Sequence, residues 1–121
     1  MATSTDPRAG RGRAGEDATA DVYERRGYHI VERNWRCPLG EIDLIARRDD
    51  VVVVCEVKSR SGAAFGGGYE SVTWSKRRRL RHLAEAFLAE RRLGTARVRF
   101  DVASVWLGRR GADVEIFEDA F

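Results

Sequence analysis

Residues 40–60 read GEIDLIARRDDVVVVCEVKSR, two strand-like runs separated by Arg47, Arg48, Asp49 and Asp50. A two-residue loop at Asp49 and Asp50 would join them as an antiparallel hairpin in which paired residue numbers sum to 99. In that register Asp43 faces Glu56, and Glu41 faces Lys58. Directly opposed residues have Cβ atoms roughly 4.5–5.5 Å apart, so two carboxylates there repel unless a cation lies between them. A divalent metal would remove the conflict. Alternation along a strand puts Glu41 and Asp43 on one face with Ile42 and Leu44 on the other, and gives Glu56, Lys58 and Arg60 a common face.

The run at residues 51–55 is continuously apolar, as expected of a central strand covered on both faces. A glutamate directly after such a run is costly to place without a partner cation. Ionised carboxylates are hard oxygen ligands, and Mg²⁺ takes one or two of them together with waters and a phosphate oxygen. Asp43 and Glu56 fit that need as metal ligands. Neighbouring carboxylates favour the charged form of Lys58, so it is expected to position water or stabilise charge rather than act as an unaided base. Arg60 could clamp a phosphate. An ordinary cross-strand ion pair between Glu41 and Lys58, with Asp43 as an edge charge near a turn, also accounts for part of the pattern.

Working outward, residues 1–13 mix Gly, Arg, Ser and Thr without periodicity and read as a disordered basic arm. A single domain is expected over residues 14–121. Residues 14–26 show helical spacing of Ala14, Ala18 and Val22, with Gly27 as the stop. Glu16 would then open the helix, where a carboxylate suits the helix dipole whatever its function. Residues 28–36 read as a first strand, turning through Cys37, Pro38, Leu39 and Gly40 into a second at 41–47. Residues 61–70 hold four glycines and read as a mobile loop beside the proposed site. Residues 73–92 form an amphipathic helix with Leu80, Leu83, Ala84, Phe87 and Leu88 on one stripe and Arg77, Arg78 and Arg81 on other faces. Lys76 begins this helix and could either reach phosphate or be solvated. Residues 96–107 alternate as a fourth strand, Gly108 to Gly111 make a turn, and residues 114–117 give a short fifth strand. Arg99 and Asp101 share a face and suggest a local ion pair. The order is αβββαβ plus a short C-terminal strand, an α/β fold with a mixed central sheet flanked by helices.

At 121 residues the chain suits one core. Charged residues make up 34% and mean hydropathy is −0.45. No apolar run approaches the roughly 20 residues of a membrane span, so no membrane partner is expected. No secretory signal pattern is present, which makes the cytoplasm the expected location. Cys37 and Cys55 lack the spacing of a zinc site, and His29 and His82 are isolated. The net charge of +3 is uneven: residues 1–13 carry three Arg and one Asp, and residues 73–93 carry seven basic and two acidic side chains. The rest is net negative around the hairpin. Such a division suits holding a polyanionic backbone near a cation site, although a solvated basic helix has the same composition.

GEIDLIA followed by EVKSR resembles the PD-(D/E)xK nuclease signature, an acidic residue on one strand and Glu-x-Lys on the next. Residues 15–50, CEVKSR at 55–60, KRRRLRHLAEAFL at 76–88 and VRFDV at 98–102 together resemble the bacterial YraN-like (UPF0102) family of predicted endonucleases, related to archaeal Holliday junction resolvases. The resemblance implies a restriction-endonuclease-like core, with Asp43, Glu56 and Lys58 catalytic, Glu41 auxiliary and Glu16 matching the first-helix glutamate of the resolvases. It implies Mg²⁺ or Mn²⁺ as cofactor, and nucleic acid as partner, DNA favoured over RNA. Arg60, Lys76, Arg77, Arg78 and Arg81 are the expected backbone contacts. No Pro-Asp precedes the site; Ile42 stands there. A resolvase cutting paired sites would be a homodimer. A binding module that keeps the fold without cutting, or an RNA-processing nuclease, would draw on the same residues.

Overall fold

A computed structural model describes residues 7–61 and 72–121, with side chains described at 12–60 and 72–121. The order is α1 (Pro7–Arg25), β1 (His29–Cys37), β2 (Gly40–Arg48), β3 (Val51–Ser61), α2 (Trp74–Arg91), β4 (Arg97–Gly108) and β5 (Gly111–Phe117). The five strands form one mixed sheet in sequential order, with β3 in the middle. All pairs are antiparallel except β3 with β4, whose parallel pairing follows from the long connection through α2. The glycine-rich segment 62–71 lies outside the described residues, as does the stretch 1–6 of the expected arm.

The hairpin holds the expected register from Arg48↔Val51 to Leu44↔Cys55. Asp49 turns the chain at φ 55°, in the left-handed region that Asp tolerates better than most residues, and its carbonyl accepts Arg47 Nε at 3.0 Å. On β3 the apolar run divides by parity. Val52 and Val54 pack with Leu80, Leu83 and Phe87 of α2, while Val53 and Cys55 pack with Ala20 and Tyr23 of α1. Burial on both faces explains why this strand is apolar throughout rather than alternating.

Helix α1 starts at Pro7, so residues 7–13, read as disordered from their lack of periodicity, are helical instead. Proline suits the first helical position, where no amide donor is needed. Glu16 consequently lies well inside the helix, and the dipole argument for it falls away. Helix α2 begins at an N-cap, Thr73, whose side chain accepts from Lys76 N at 3.2 Å. It ends at Arg92 in the left-handed conformation, with Leu93 N donating to Leu88 O at 2.8 Å.

Candidate active site

The hairpin register stops short of the acidic residues. Beyond Leu44↔Cys55 strands β2 and β3 no longer pair, and alternation breaks on β2: Ile42 packs on the α2 side but Leu44 on the α1 side. Asp43 sits at that break. Its Oδ2 accepts the backbone amide of Val57 at 2.9 Å, a side chain standing where a partner carbonyl would complete the ladder. Asp43 and Glu56 therefore come together across a gap between diverging strands, not as the opposed pair expected. The sequence reading placed Ile42 and Leu44 on one face because strict alternation cannot anticipate such a break.

Glu56 and Lys58 share the α2 side of β3, as parity requires. Glu56 is only 7% exposed. Lys76, reaching inward from the first turn of α2, places Nζ 2.5 Å from Glu56 Oε1, while Lys58 Nζ lies 3.5 Å from the same oxygen. Burial lowers Lys76 but the Glu56 ion pair outweighs it, so its pKa is raised. Lys58 moves the other way, drawn below the ordinary lysine range by burial and then by Lys76. This corrects the expectation that carboxylates would hold Lys58 firmly charged: a second ammonium has taken the better place beside Glu56. Lys76 is thus drawn to Glu56, with its side chain still 35% exposed. Burial, followed by the charge of Glu56, pushes the Asp43 carboxyl up to about 7, against an ordinary 3.8.

Glu41 does not face Lys58. It pairs with Arg36 in the β1–β2 register, Arg36 Nε lying 2.9 Å from Glu41 Oε2, because β2 has left β3 by this point. Glu16 is buried on the other flank, where Asn34 Nδ2 donates to its Oε1 at 2.9 Å. Burial raises the Glu16 carboxyl, with the Asn34 bond opposing it. Asn34 itself has φ 52° within β1, so a left-handed kink aims its amide at Glu16. Sequence reasoning missed Asn34, although an asparagine in a strand pattern, rare there and tolerant of positive φ, was the available signal. The helix can come this close because Gly15 has no side chain: a Cβ there would lie 1.8 Å from Ser59 Oγ and 3.1 Å from Ser59 Cβ. Gly12, Arg13, Glu16, Asn34 and Arg36 line an open cleft beside it.

Of the expected backbone contacts, Arg60 is half-buried on β3 and its Nε has no partner among the described residues. Arg77 donates Nε to Val72 O at 3.1 Å and lies 5.7 Å from the Phe121 ring centroid; Arg81 lies 5.1 Å from that of Phe100. Arg78 is exposed. Stacked guanidiniums keep in-plane donors for an anion. Burial raises the Cys55 thiol, which leaves it an inert core residue.

Two carboxylates in mutual repulsion fit a divalent cation as donor set. The described contacts to Val57, Lys58 and Lys76 engage one oxygen of each carboxylate, Asp43 Oδ2 and Glu56 Oε1. Among the described residues no group of three or more His, Cys, Asp or Glu side chains is gathered as a metal cage, and Mg²⁺ does not need one. No helix among the described residues is long and apolar enough to cross a membrane.

The fold and this pocket define a mixed α/β protein, with five strands and two helices among the described residues and an acidic pair and two lysines where its central strands part. The sequence profile of the uncharacterised protein family UPF0102 matches residues 15–105. A UPF0102 protein of Moorella thermoacetica is 48% identical over 119 residues, 97% of this chain and 99% of the relative. One from Parafrankia is 48% identical over 101 residues, covering 84% of this chain and 86% of its own. A third, from Rhodococcus opacus, is 43% identical over 111 residues, 91% and 94% of the two chains. The chain belongs to the UPF0102 family.

Proposed function

We propose that the protein is a metal-dependent endonuclease that hydrolyses phosphodiester bonds in DNA, built on a PD-(D/E)xK core. The observation that carries this reading is the Asp43–Glu56 pair at the parting of β2 and β3, with Lys58 beside it. Asp43 and Glu56 would hold Mg²⁺ or Mn²⁺, which when bound supplies positive charge to a phosphate oxygen and lowers the pKa of a coordinated water.

The chain's own groups account for the rest. Val57 N–H fixes the rotamer of Asp43, so one carboxylate is preset before substrate arrives. Lys58, with its pKa lowered by burial and by Lys76, gives up a proton more easily than a surface lysine and still donates hydrogen bonds to negative charge developing on the phosphate. Arg60, on the same face of β3, supplies a donor to a neighbouring phosphate. Contacts of this kind recognise backbone rather than bases, which supports selection by DNA structure, such as branched or damaged sites, and gives binding that weakens steeply with salt.

A binding module without catalysis is the second reading, favoured by one observation: Lys76 already neutralises Glu56. Both readings meet in one experiment. Linear, nicked, flapped and four-way DNA and structured RNA are incubated with Mg²⁺ or Mn²⁺ beside Asp43→Asn and Glu56→Gln proteins. Cleavage by the wild type that falls at least about 100-fold in both variants supports the nuclease. Binding without cleavage on every substrate selects the binding module, and equal cleavage by wild type and variants removes the acidic pair from the chemistry.

A further inference from the structure

Helix α2 turns one stripe toward the sheet and another outward, and packing does not explain the exposed Trp74 at the head of the outer stripe. Leu80, Leu83, Ala84 and Phe87 are buried, and Lys76 lies on that inward side where it reaches Glu56. The outer positions Trp74, Arg77, Arg78 and Arg81 fall at i, i+3, i+4 and i+7, the spacing of one helix face. Trp74 is 78% exposed, one of two exposed large apolar side chains among the described residues. The helix has its N-cap in Thr73 and its core anchors further along, so neither folding nor capping calls for an indole at this position. An exposed indole next to three arginines presents a flat apolar face beside positive charge. Arg81 is held over Phe100 and Arg77 beside Phe121, so two of the three are already ordered.

A nucleotide has the complementary chemistry, a flat base and a phosphate. A duplex hides its base faces in the stack, whereas an unpaired strand offers them, and aromatic stacking of that kind discriminates little between bases. We propose that the outer face of α2 binds unpaired DNA, with a base stacked on Trp74 and the adjoining phosphates on Arg77, Arg78 and Arg81. The first turn of α2 carries both Trp74 and Lys76, and the Lys76 side chain reaches Glu56 in the acidic pocket. The proposal rests on the nuclease reading of that pocket and narrows its substrate to DNA with a single-stranded part, such as a flap or gap.

The test measures binding in EDTA, so that cleavage plays no part, by fluorescence anisotropy of a labelled single strand, a flapped duplex, a blunt duplex and an RNA strand. Trp74→Ala is expected to weaken the single strand and the flap about tenfold or more and to leave the blunt duplex within about twofold. Trp74→Phe, which keeps a ring, restores most of the loss. Arg78→Ala should weaken all DNA probes alike and reduce the salt slope by about one phosphate contact. An unchanged melting temperature confirms that the exposed position does not disturb folding. Equal effects of Trp74→Ala on single strand and blunt duplex, or none on either, would overturn the inference, and so would preferential binding of the RNA strand. Wild-type protein that binds no nucleic acid at all would remove the nuclease reading with it, whereas retained binding without a Trp74 effect removes only the stacking site.

Discussion

Asp101 on β4 and the Asp43–Glu56 pair on β2 and β3 are acidic sites withdrawn from water in one sheet, and their surroundings differ in kind. Asp101 is wholly buried and satisfied. Arg99 donates Nε at 2.9 Å and a terminal nitrogen at 2.8 Å, Tyr23 donates its hydroxyl at 2.7 Å, and the Asp119 amide donates at 3.0 Å. The pairing raises the Arg99 guanidinium, and burial raises the Tyr23 phenol, so both stay as donors. At the other site burial and the charge of Glu56 make Asp43 harder to charge, and a single oxygen of Glu56 is shared by two lysines. A carboxylate surrounded by donors ties α1, β4 and the C-terminal residues together. At Asp43 burial and the neighbouring Glu56 oppose the charge instead of satisfying it.

The largest expected effect comes from exchanging the two. Asp101→Asn removes the bidentate partner of Arg99 and should cost ~3 kcal/mol of stability, since it leaves a partly buried cation with only the Glu118 carboxylate, at 3.6 Å, among the described residues. Asp43→Asn in metal-free buffer at pH 8 should be neutral or stabilising, because it deletes one of two repelling charges. Urea denaturation of both proteins beside the wild type decides this, and equal destabilisation would erase the distinction drawn between the sites.

A pH profile sharpens the same contrast. The folded-state pKa of Asp43, about 7, lies above its ordinary 3.8, so between these values the folded protein keeps a proton that the unfolded chain has released. Stability accordingly falls as pH rises from about 4 to about 7, and the raised Glu16 carboxyl acts in the same sense. The shift from 3.8 to about 7 sets that fall at up to about 4 kcal/mol in metal-free buffer, most of it lost in Asp43→Asn. On the nuclease reading, Mn²⁺ added at pH 8 should recover stability in the wild type and not in Glu56→Gln. A profile in Asp43→Asn as steep as that of the wild type would place the buried proton elsewhere.

How much of this was legible depended on whether local pattern or tertiary geometry set each feature. The hairpin register over residues 44–55 followed from loop length and hydrophobic runs, and the central position of β3 from its unbroken valines. The Arg99–Asp101 pair followed from parity on one strand. The parting of β2 from β3 did not, because nothing in GEID marks the residue at which alternation fails. That one break moves Glu41 from Lys58 to Arg36 and turns Asp43 toward Val57 N–H. Lys76 was visible only as a basic residue opening a helix; its place beside Glu56 depends on how α2 docks against the sheet. Residues 7–13 lack hydrophobic spacing, so their helix was invisible to a reading built on periodicity.

The smallest effect belongs to Glu41, which separates membership of the acidic pocket from mere proximity to it. Its side chain pairs with an exposed Arg36, a surface arrangement that contributes little to folding, so Glu41→Gln should change stability by less than about 0.5 kcal/mol. Glu41 is also the weakest of the charges that raise Asp43, behind burial, Glu56 and Glu16. Neutralising it should therefore lower the Asp43 titration midpoint slightly, measurable by NMR of the labelled side-chain carboxyl. On the nuclease reading, cleavage should fall far less than in Asp43→Asn. A loss as deep as that of Asp43→Asn, with stability unchanged, would make Glu41 a direct participant despite its ion pair with Arg36, and would move the boundary of the frustrated site out to the β1–β2 edge.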